Sequence, residues 1–281
     1  MSTPPQSVPY SLSNAADRTG NPDEPIVDQR LFVGGVAKAF LVLSAFQGQP
    51  RPLSLSDVAE ATGIGRSAAQ RFLYTLKTLG YLRQDPTTRR YSLSPKVLEL
   101  GFAYLRNDHL VEKAFPYLLE GSKRTDETIN LTELDGNDII YVSRIPSRNV
   151  ISVDIAVGQR LPAYCTAPGR AMLAWLPHEQ ARDILERSDR RQRTEFTVTD
   201  IDEILERLDE IRRVGYAFSN QETFVGDISV AAPVRDHQGT VLAAVNIAVP
   251  HPRWSPERVK VDLVPPAIET ARAISKTLGG R

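Results

Sequence analysis

The 281-residue chain holds one cysteine, Cys165, within RLPAYCTAPGRAMLAWL at 160–176. A thiol acts as a nucleophile only with a base in hydrogen-bond reach and an electropositive setting that lowers its pKa. The four histidines, His109, His178, His237 and His251, fall by local pattern on a helix start, a loop, a hairpin turn and a loop. Nothing in the spacing brings one of them to Cys165. A second reading accounts for more of the neighbouring residues. Thr166-Ala167-Pro168-Gly169 opens a helix with small side chains, where free backbone N–H groups and the helix dipole favour an anion such as a carboxylate. The stretch therefore reads as an ordinary capped helix, as the wall of a small-carboxylate pocket or as an enzyme's nucleophile loop with Cys165 at its centre. No Cys or His pair has metal-ligand spacing, and the carboxylates of DEILERLDEIRR sit on the solvated face of a helix, so neither a metal nor a cofactor is expected.

A second set of residues suits polyanion binding. In RSAAQRFLYTLKTLG at 66–80, a turn of about 100° per residue gathers Ala68, Ala69, Phe72, Leu73, Leu76 and Leu79 on one arc. Ser67, Gln70, Arg71, Tyr74, Thr75, Lys77 and Thr78 fall on the other. Arg66 and Arg71 can reach phosphate or guanine, Gln70 can pair with adenine, Ser67 can bond a phosphate, and Tyr74 can touch a sugar or simply pack. Charge supports this placement. Residues 29–107 carry 11 Lys/Arg against 4 acids, whereas 1–28 carry 1 against 4 and 108–281 carry 22 against 26. A helical bundle with a solvated polar face is the competing reading of the same pattern.

These residues need elements to position them. Val33, Val36, Phe40, Leu43 and Phe46 lie at helical spacing and predict a first helix ending near 47–50. A short helix opened by Ser54 or Ser56 closes at Gly63. The third helix stops at Gly80, and YLRQDPTTRRYSLS folds back as a hairpin that carries Arg89 and Arg90. This order describes a winged helix-turn-helix over 29–94, in which the third helix enters the major groove and the wing rests on the backbone. Ser94-Pro95 starts a linker helix over 95–109. From 110 to 281 the pattern is α+β, with a helix near 109–125 and strands near 128–134, 138–145 and 149–156. Helices near 168–187 and 200–214 follow, then strands near 216–221, 228–235 and 240–249, and a last helix from Pro256 broken at Pro265-Pro266. Residues 1–28, rich in Pro, Ser, Asn and Asp, read as a disordered tail. With neither a basic, apolar leader nor an apolar run of membrane-spanning length, a cytoplasmic protein without membrane contact is expected.

The chain resembles the IclR family of bacterial transcription regulators from about Phe32 onward. The likeness rests on LSLSDVAEATGIGRSAAQRFLYTLKTLGYL and YSLSPKVLELG in the first half. In the second half it rests on DIIYVSRIPS, VGQRLPAYCTAPGRAMLAWLP, GYAFSNQETFVGDISVAAPVRD and GTVLAAVNIAVP. The stretch SVDIAVGQRLPAYCT is similar to the branch controlling aromatic-acid catabolism, whose effectors include protocatechuate, 4-hydroxybenzoate, β-ketoadipate and cis,cis-muconate. The resemblance implies a homodimer or dimer of dimers on double-stranded operator DNA, with a C-terminal GAF-like domain holding a small-molecule carboxylate effector. Carried over residue by residue, the effector-binding positions are Thr166, Ala167 and Pro168 on one wall and Gln221, Ser229, Asn246 and Ala248 on the other. Family members often carry Leu-Arg after the glycine that corresponds to Gly226. Asp227-Ile228 stands there in this chain.

Overall fold

The computed structural model describes residues 28, 30–148 and 155–280. The expected N-terminal tail, Asp28 apart, and most of the strand expected at 149–156 lie outside these residues, and Ile155 and Ala156 are not in a strand. The chain divides into two units with the boundary between Ala103 and Tyr104.

In the first unit, α1 (Gly34–Ser44), α2 (Leu55–Thr62) and α3 (Arg66–Thr78) precede an antiparallel hairpin of β1 (Leu82–Gln84) and β2 (Tyr91–Leu93). The short α2 is fixed at its start by a reciprocal capping box. Ser54 Oγ accepts from the Asp57 N–H at 3.2 Å, and an Asp57 carboxylate oxygen accepts from the Ser54 N–H at 2.8 Å. Such caps are worth about 1 kcal/mol. Gly80, at φ +83°, allows the chain to reverse after α3, a conformation that a side chain disfavours. Leu53 adds a bridge to Tyr91 beside the wing, with N–H···O distances of 2.9 and 2.7 Å. Leu41, Val42, Phe46, Val58, Ile64, Ala69, Leu73, Leu76 and Leu82 close the core.

Two sequence expectations change here. On α1 the buried residues are Leu41 and Val42, followed by Ala45 and Phe46, while Val33, Val36 and Phe40 are exposed. The helix is apolar on both sides, so spacing alone could not choose the core face. Leu79 is 53% exposed, because α3 has ended at Thr78 and the chain is already turning away.

The helix α4 (Val97–Asn107) crosses the boundary, and α5 (His109–Thr125) begins the second unit. Six strands form one antiparallel sheet in the order β5-β4-β3-β8-β7-β6. They are β3 (Thr128–Asp135), β4 (Asp138–Ile145), β5 (Arg160–Pro162), β6 (Ala217–Asn220), β7 (Asp227–Arg235) and β8 (Val241–Pro250). Alternation along each strand splits the core in two. Ile129, Leu131, Val230, Val245 and Ile247 pack with α5, α9 (Pro256–Asp262) and α10 (Val264–Thr277). Ile139, Tyr141, Ala231 and Ala244 pack with α6 (Ala167–Leu173), α7 (His178–Arg187) and α8 (Ile201–Val214). The fold class is α+β. The helix expected over 168–187 is two helices, since Pro177 lacks the N–H needed to continue α6 and instead caps α7. The last helix breaks at Leu263, and Pro265 and Pro266 lie in the first turn of α10, where prolines are tolerated.

Candidate functional site

Arg66, Ser67, Gln70, Arg71 and Tyr74 all emerge on the exposed face of α3. The opposite face of that helix is pinned by Ala69, Leu73 and Leu76. The side chains of Arg66, Gln70 and Arg71 make no hydrogen bond or ion pair among the described residues, so their donors are available to a partner. The wing is braced against the same helix. Lys77 Nζ donates to Gln84 Oε1 at 3.1 Å, and Gln84 Nε2 donates to the Arg89 carbonyl at 3.1 Å. The two wing arginines differ in setting. Arg89 is exposed at the tip. Arg90 donates at 3.0 Å both to the Pro52 carbonyl and to Asp57, so its guanidinium ties the wing to α2.

In the second unit, Thr166, Ala167, Pro168, Ser229, Asn246 and Ala248 line one small cavity that is partly open to solvent. Tyr141, Ser219, Thr223, Phe224 and Asp227 complete its lining together with Ile155 and Leu161. Ser229 and Ala248 meet because β7 and β8 pair with these two residues opposite each other. Asn246 Nδ2 donates to Ser229 Oγ at 3.1 Å, while Asn246 Oδ1 is buried without a partner among the described residues. Gln221 is not part of the lining. At φ +60° it shapes the loop before β7, its N–H donating to the Asp227 carbonyl at 2.7 Å and its Oε1 accepting from the Gly226 N–H at 2.9 Å.

The wall containing Thr166 is held rigidly. Thr166 Oγ1 accepts from the Gly169 N–H at 3.2 Å and so caps α6 itself. A Cβ on Gly169 would sit inside the backbone of Ala163, which is why a glycine follows Pro168. Arg170, 1% exposed, donates to the Tyr164 carbonyl at 2.7 Å and, through both terminal nitrogens, to Glu222 at 2.6 Å. This buried bidentate pair locks α6 to the 221–226 loop, which adds Thr223 and Phe224 to the lining. It escaped the sequence reading because Arg170 and Glu222 look like ordinary surface charges on their own segments.

Asp227 was visible in the sequence only as a departure from a family pattern. Burial pushes its carboxyl up to about 7, with the nearby Arg144 charge opposing the rise. Cys165 is fully buried, and burial raises its thiol pKa against the smaller opposing effects of Arg193 and Arg170. Its thiol lies 3.9 Å from the Pro162 carbonyl and 4.0 Å from the Thr223 hydroxyl. A buried thiol held protonated is a poor nucleophile. The nucleophile reading of Cys165 therefore has no support, and the residue packs as a small apolar group.

Comparison with known proteins agrees. Residues 35–86 match the model of the IclR helix-turn-helix domain, and 102–276 match that of the bacterial transcriptional regulator IclR C-terminal domain. The chain is 36% identical over 263 residues to the Pca regulon regulatory protein of Pseudomonas putida, covering 93% of this chain and 87% of that one. It is also 36% identical to the transcriptional regulator KdgR of Escherichia coli, over 88% and 93% of the two chains. A p-hydroxybenzoate hydroxylase transcriptional activator from Acinetobacter baylyi is 33% identical over 86% and 91%. A crystal structure of a transcriptional regulator from Rhodococcus sp. RHA1 superposes with a TM-score of 0.76 at 39% identity, over 88% and 98%. These relatives are regulators rather than enzymes. The two matching domain models, with relatives 33–36% identical over most of the chain, establish that this chain is a member of the IclR family of bacterial transcriptional regulators.

Proposed function

We propose that the chain is a ligand-responsive, sequence-specific DNA-binding regulator whose effector is a small carboxylate from aromatic catabolism. The observation that carries this reading is the pairing in one chain of a cationic helix face without internal partners and an enclosed cavity with an unpaired polar atom. Arg66, Gln70 and Arg71 read base edges or phosphates, Ser67 and Tyr74 add backbone contacts, and Arg89 on the wing contacts phosphate. Arg90 contributes mainly by holding the wing, given its bond to Asp57. Such a regulator works on chromosomal DNA in the cytoplasm.

The regulator acts as a homodimer or a dimer of dimers, because one module reads only a few base pairs. The exposed Val33, Val36 and Phe40 of α1 and Leu98 and Phe102 of the linker helix α4 supply the apolar surface for contact between subunits. The effector changes operator affinity by binding one arrangement of the dimer more tightly than the other, coupled through α4.

The acid lies between the Thr166–Pro168 wall and Ser229, Asn246 and Ala248. The relative from Acinetobacter, an activator named for p-hydroxybenzoate hydroxylase, supports an aromatic acid. The test is operator binding by the full chain in the presence and absence of protocatechuate, 4-hydroxybenzoate, β-ketoadipate and cis,cis-muconate. At least one acid should shift the affinity, Asn246→Leu or Ser229→Leu should abolish the shift while specific operator binding persists, and Cys165→Ser should keep it. No shift with any acid, or loss of the shift in Cys165→Ser alone, overturns the aromatic-acid reading.

A further inference from the structure

Two hydrogen-bond acceptors in the cavity wall lack protein donors. One is Asn246 Oδ1, on a residue 2% exposed whose amide nitrogen is already committed to Ser229. The other is the Asp227 carboxylate, whose side chain has no hydrogen-bond partner among the described residues. Asp227 and Ser229 are two residues apart on β7 and therefore share a face, with Cα atoms about 7 Å apart. Asn246 bonds to Ser229, so the two unpaired acceptors stand on the same face around one hydroxyl.

Two other polar groups of the lining are spent within the protein. Thr223 Oγ1 donates to the Cys165 carbonyl at 3.0 Å, and Thr166 Oγ1 donates to the Pro162 carbonyl at 3.0 Å while accepting from Gly169. Among the described lining residues Asp227 is the only one with an acidic or basic side chain. It is closely surrounded by protein yet keeps part of its surface, and that surface faces the cavity. Burial also disfavours its charged form, so a group that donates to the carboxylate restores what removal from water took away.

Resting on the effector reading above, we propose that Asp227 selects an acid that carries a hydroxyl group, donated to Asp227 or to Asn246 Oδ1, and rejects dicarboxylic acids. A hydroxyl supplies a donor to one of the two unpaired acceptors, and its oxygen can still accept from Ser229. A second carboxylate in the same place supplies no proton and meets the negative form of Asp227 at close range, whereas the opposing Arg144 charge lies outside the described lining. Among aromatic-catabolism acids this favours hydroxylated ring acids over open-chain diacids. A site built to bond a hydroxyl discriminates strongly against an analogue that lacks it, because the partner groups are then left unpaired.

The experiment is calorimetric titration of the full-length protein with 4-hydroxybenzoate, benzoate and terephthalate, which share a ring and a carboxylate and differ only at the para position. The Kd for 4-hydroxybenzoate should be about tenfold or more below that for benzoate, and lower still relative to terephthalate. Asp227→Asn removes the repulsion, and Asp227→Leu removes both donor acceptance and charge, so each should narrow the gap between 4-hydroxybenzoate and terephthalate by about tenfold or more. Wild-type protein that binds terephthalate or benzoate as tightly as 4-hydroxybenzoate overturns the selection by Asp227 and leaves the carboxylate-effector reading standing. That measurement needs no variant to fold. Failure of all three acids, and of protocatechuate, β-ketoadipate and cis,cis-muconate, to bind wild-type protein that still binds its operator overturns both.

Discussion

The DNA-facing arc of α3 and the cavity of the second unit solve the placement of polar groups in opposite ways. On α3 the working residues come from nine consecutive positions, project into solvent and leave their donors unpaired. Helix geometry alone collects them on one face, and the apolar face beneath them only has to be buried. In the cavity the polar groups come from α6, the 217–227 segment and two paired strands, and most of their bonding capacity is used within the protein. The unpaired atoms there are few and enclosed. An exposed site can be general in its attraction and select by a few contacts, whereas an enclosed one selects by which atoms it leaves unsatisfied.

The comparison implies that rigidity matters far more in the second unit. Arg170→Ala should give the largest effect, about 3–5 kcal/mol of lost stability, because Glu222 then stays buried with only the half-exposed Arg207 at 3.3 Å as a cationic partner. Urea denaturation of the variant against the wild type measures this. A loss below about 1 kcal/mol would show that the α6 to 221–226 lock is not what holds the cavity walls together.

On the exposed face, single substitutions should change recognition and not stability. Arg71→Ala or Gln70→Ala should weaken operator binding by about 1–3 kcal/mol, roughly ten- to a hundredfold, with little effect on random DNA. Arg89→Ala should weaken both and reduce the salt dependence by about one ion. Filter or anisotropy titrations across a salt series distinguish the two. Equal losses on operator and random DNA for Arg71 and Gln70 would move them from base readout to backbone contact.

The smallest expected effect concerns a second enclosed carboxylate, on β3. Tyr104 Oη donates to Glu133 at 2.8 Å, and burial pushes the Glu133 carboxyl up to about 7, the Tyr104 bond opposing. Since the unfolded carboxyl ionises near 4.5, the folded state binds the proton more tightly between these values. Stability from this group is therefore present at low pH and lost as pH rises through about 7. Glu133→Gln should be more stable than the wild type by about 1 kcal/mol at pH 8, with the difference vanishing near pH 4.5, after allowance for the partial exposure of the group. A difference that does not change with pH would show that Glu133 does not titrate in this range.

How much of this was legible in advance follows from contact distance along the chain. The helix-turn-helix, its capping serine, its glycine stop and the polar arc of α3 depend on neighbours within a few residues, so the sequence carried them. Pro177 and Leu263, where expected helices broke early, are also local features, but their exact placement depends on packing. The exposed side of α1 was misassigned because both of its faces are apolar, and only contact with α3 selects Leu41 and Val42 for the core. In the second unit, residue types and family resemblance pointed to Thr166–Pro168 and to Ser229, Asn246 and Ala248, yet they did not separate the lining from its supports. Gln221 proved to be a support, and Asp227 proved to be lining.

By itself the sequence determined the order of elements, the cationic segment and the family. The tertiary structure decided which charges are used up and which remain free. Arg90 and Arg170 read like Arg71 in the sequence, but Asp57 and Glu222 lie beside the first two and no acid lies beside the third. The same holds for Asp227 and Glu222: one faces a cavity without a donor, the other is neutralised by a buried guanidinium. Charge is a property of the residue, whereas its availability depends on which distant groups the fold brings within a hydrogen bond, and chain position does not encode that distance.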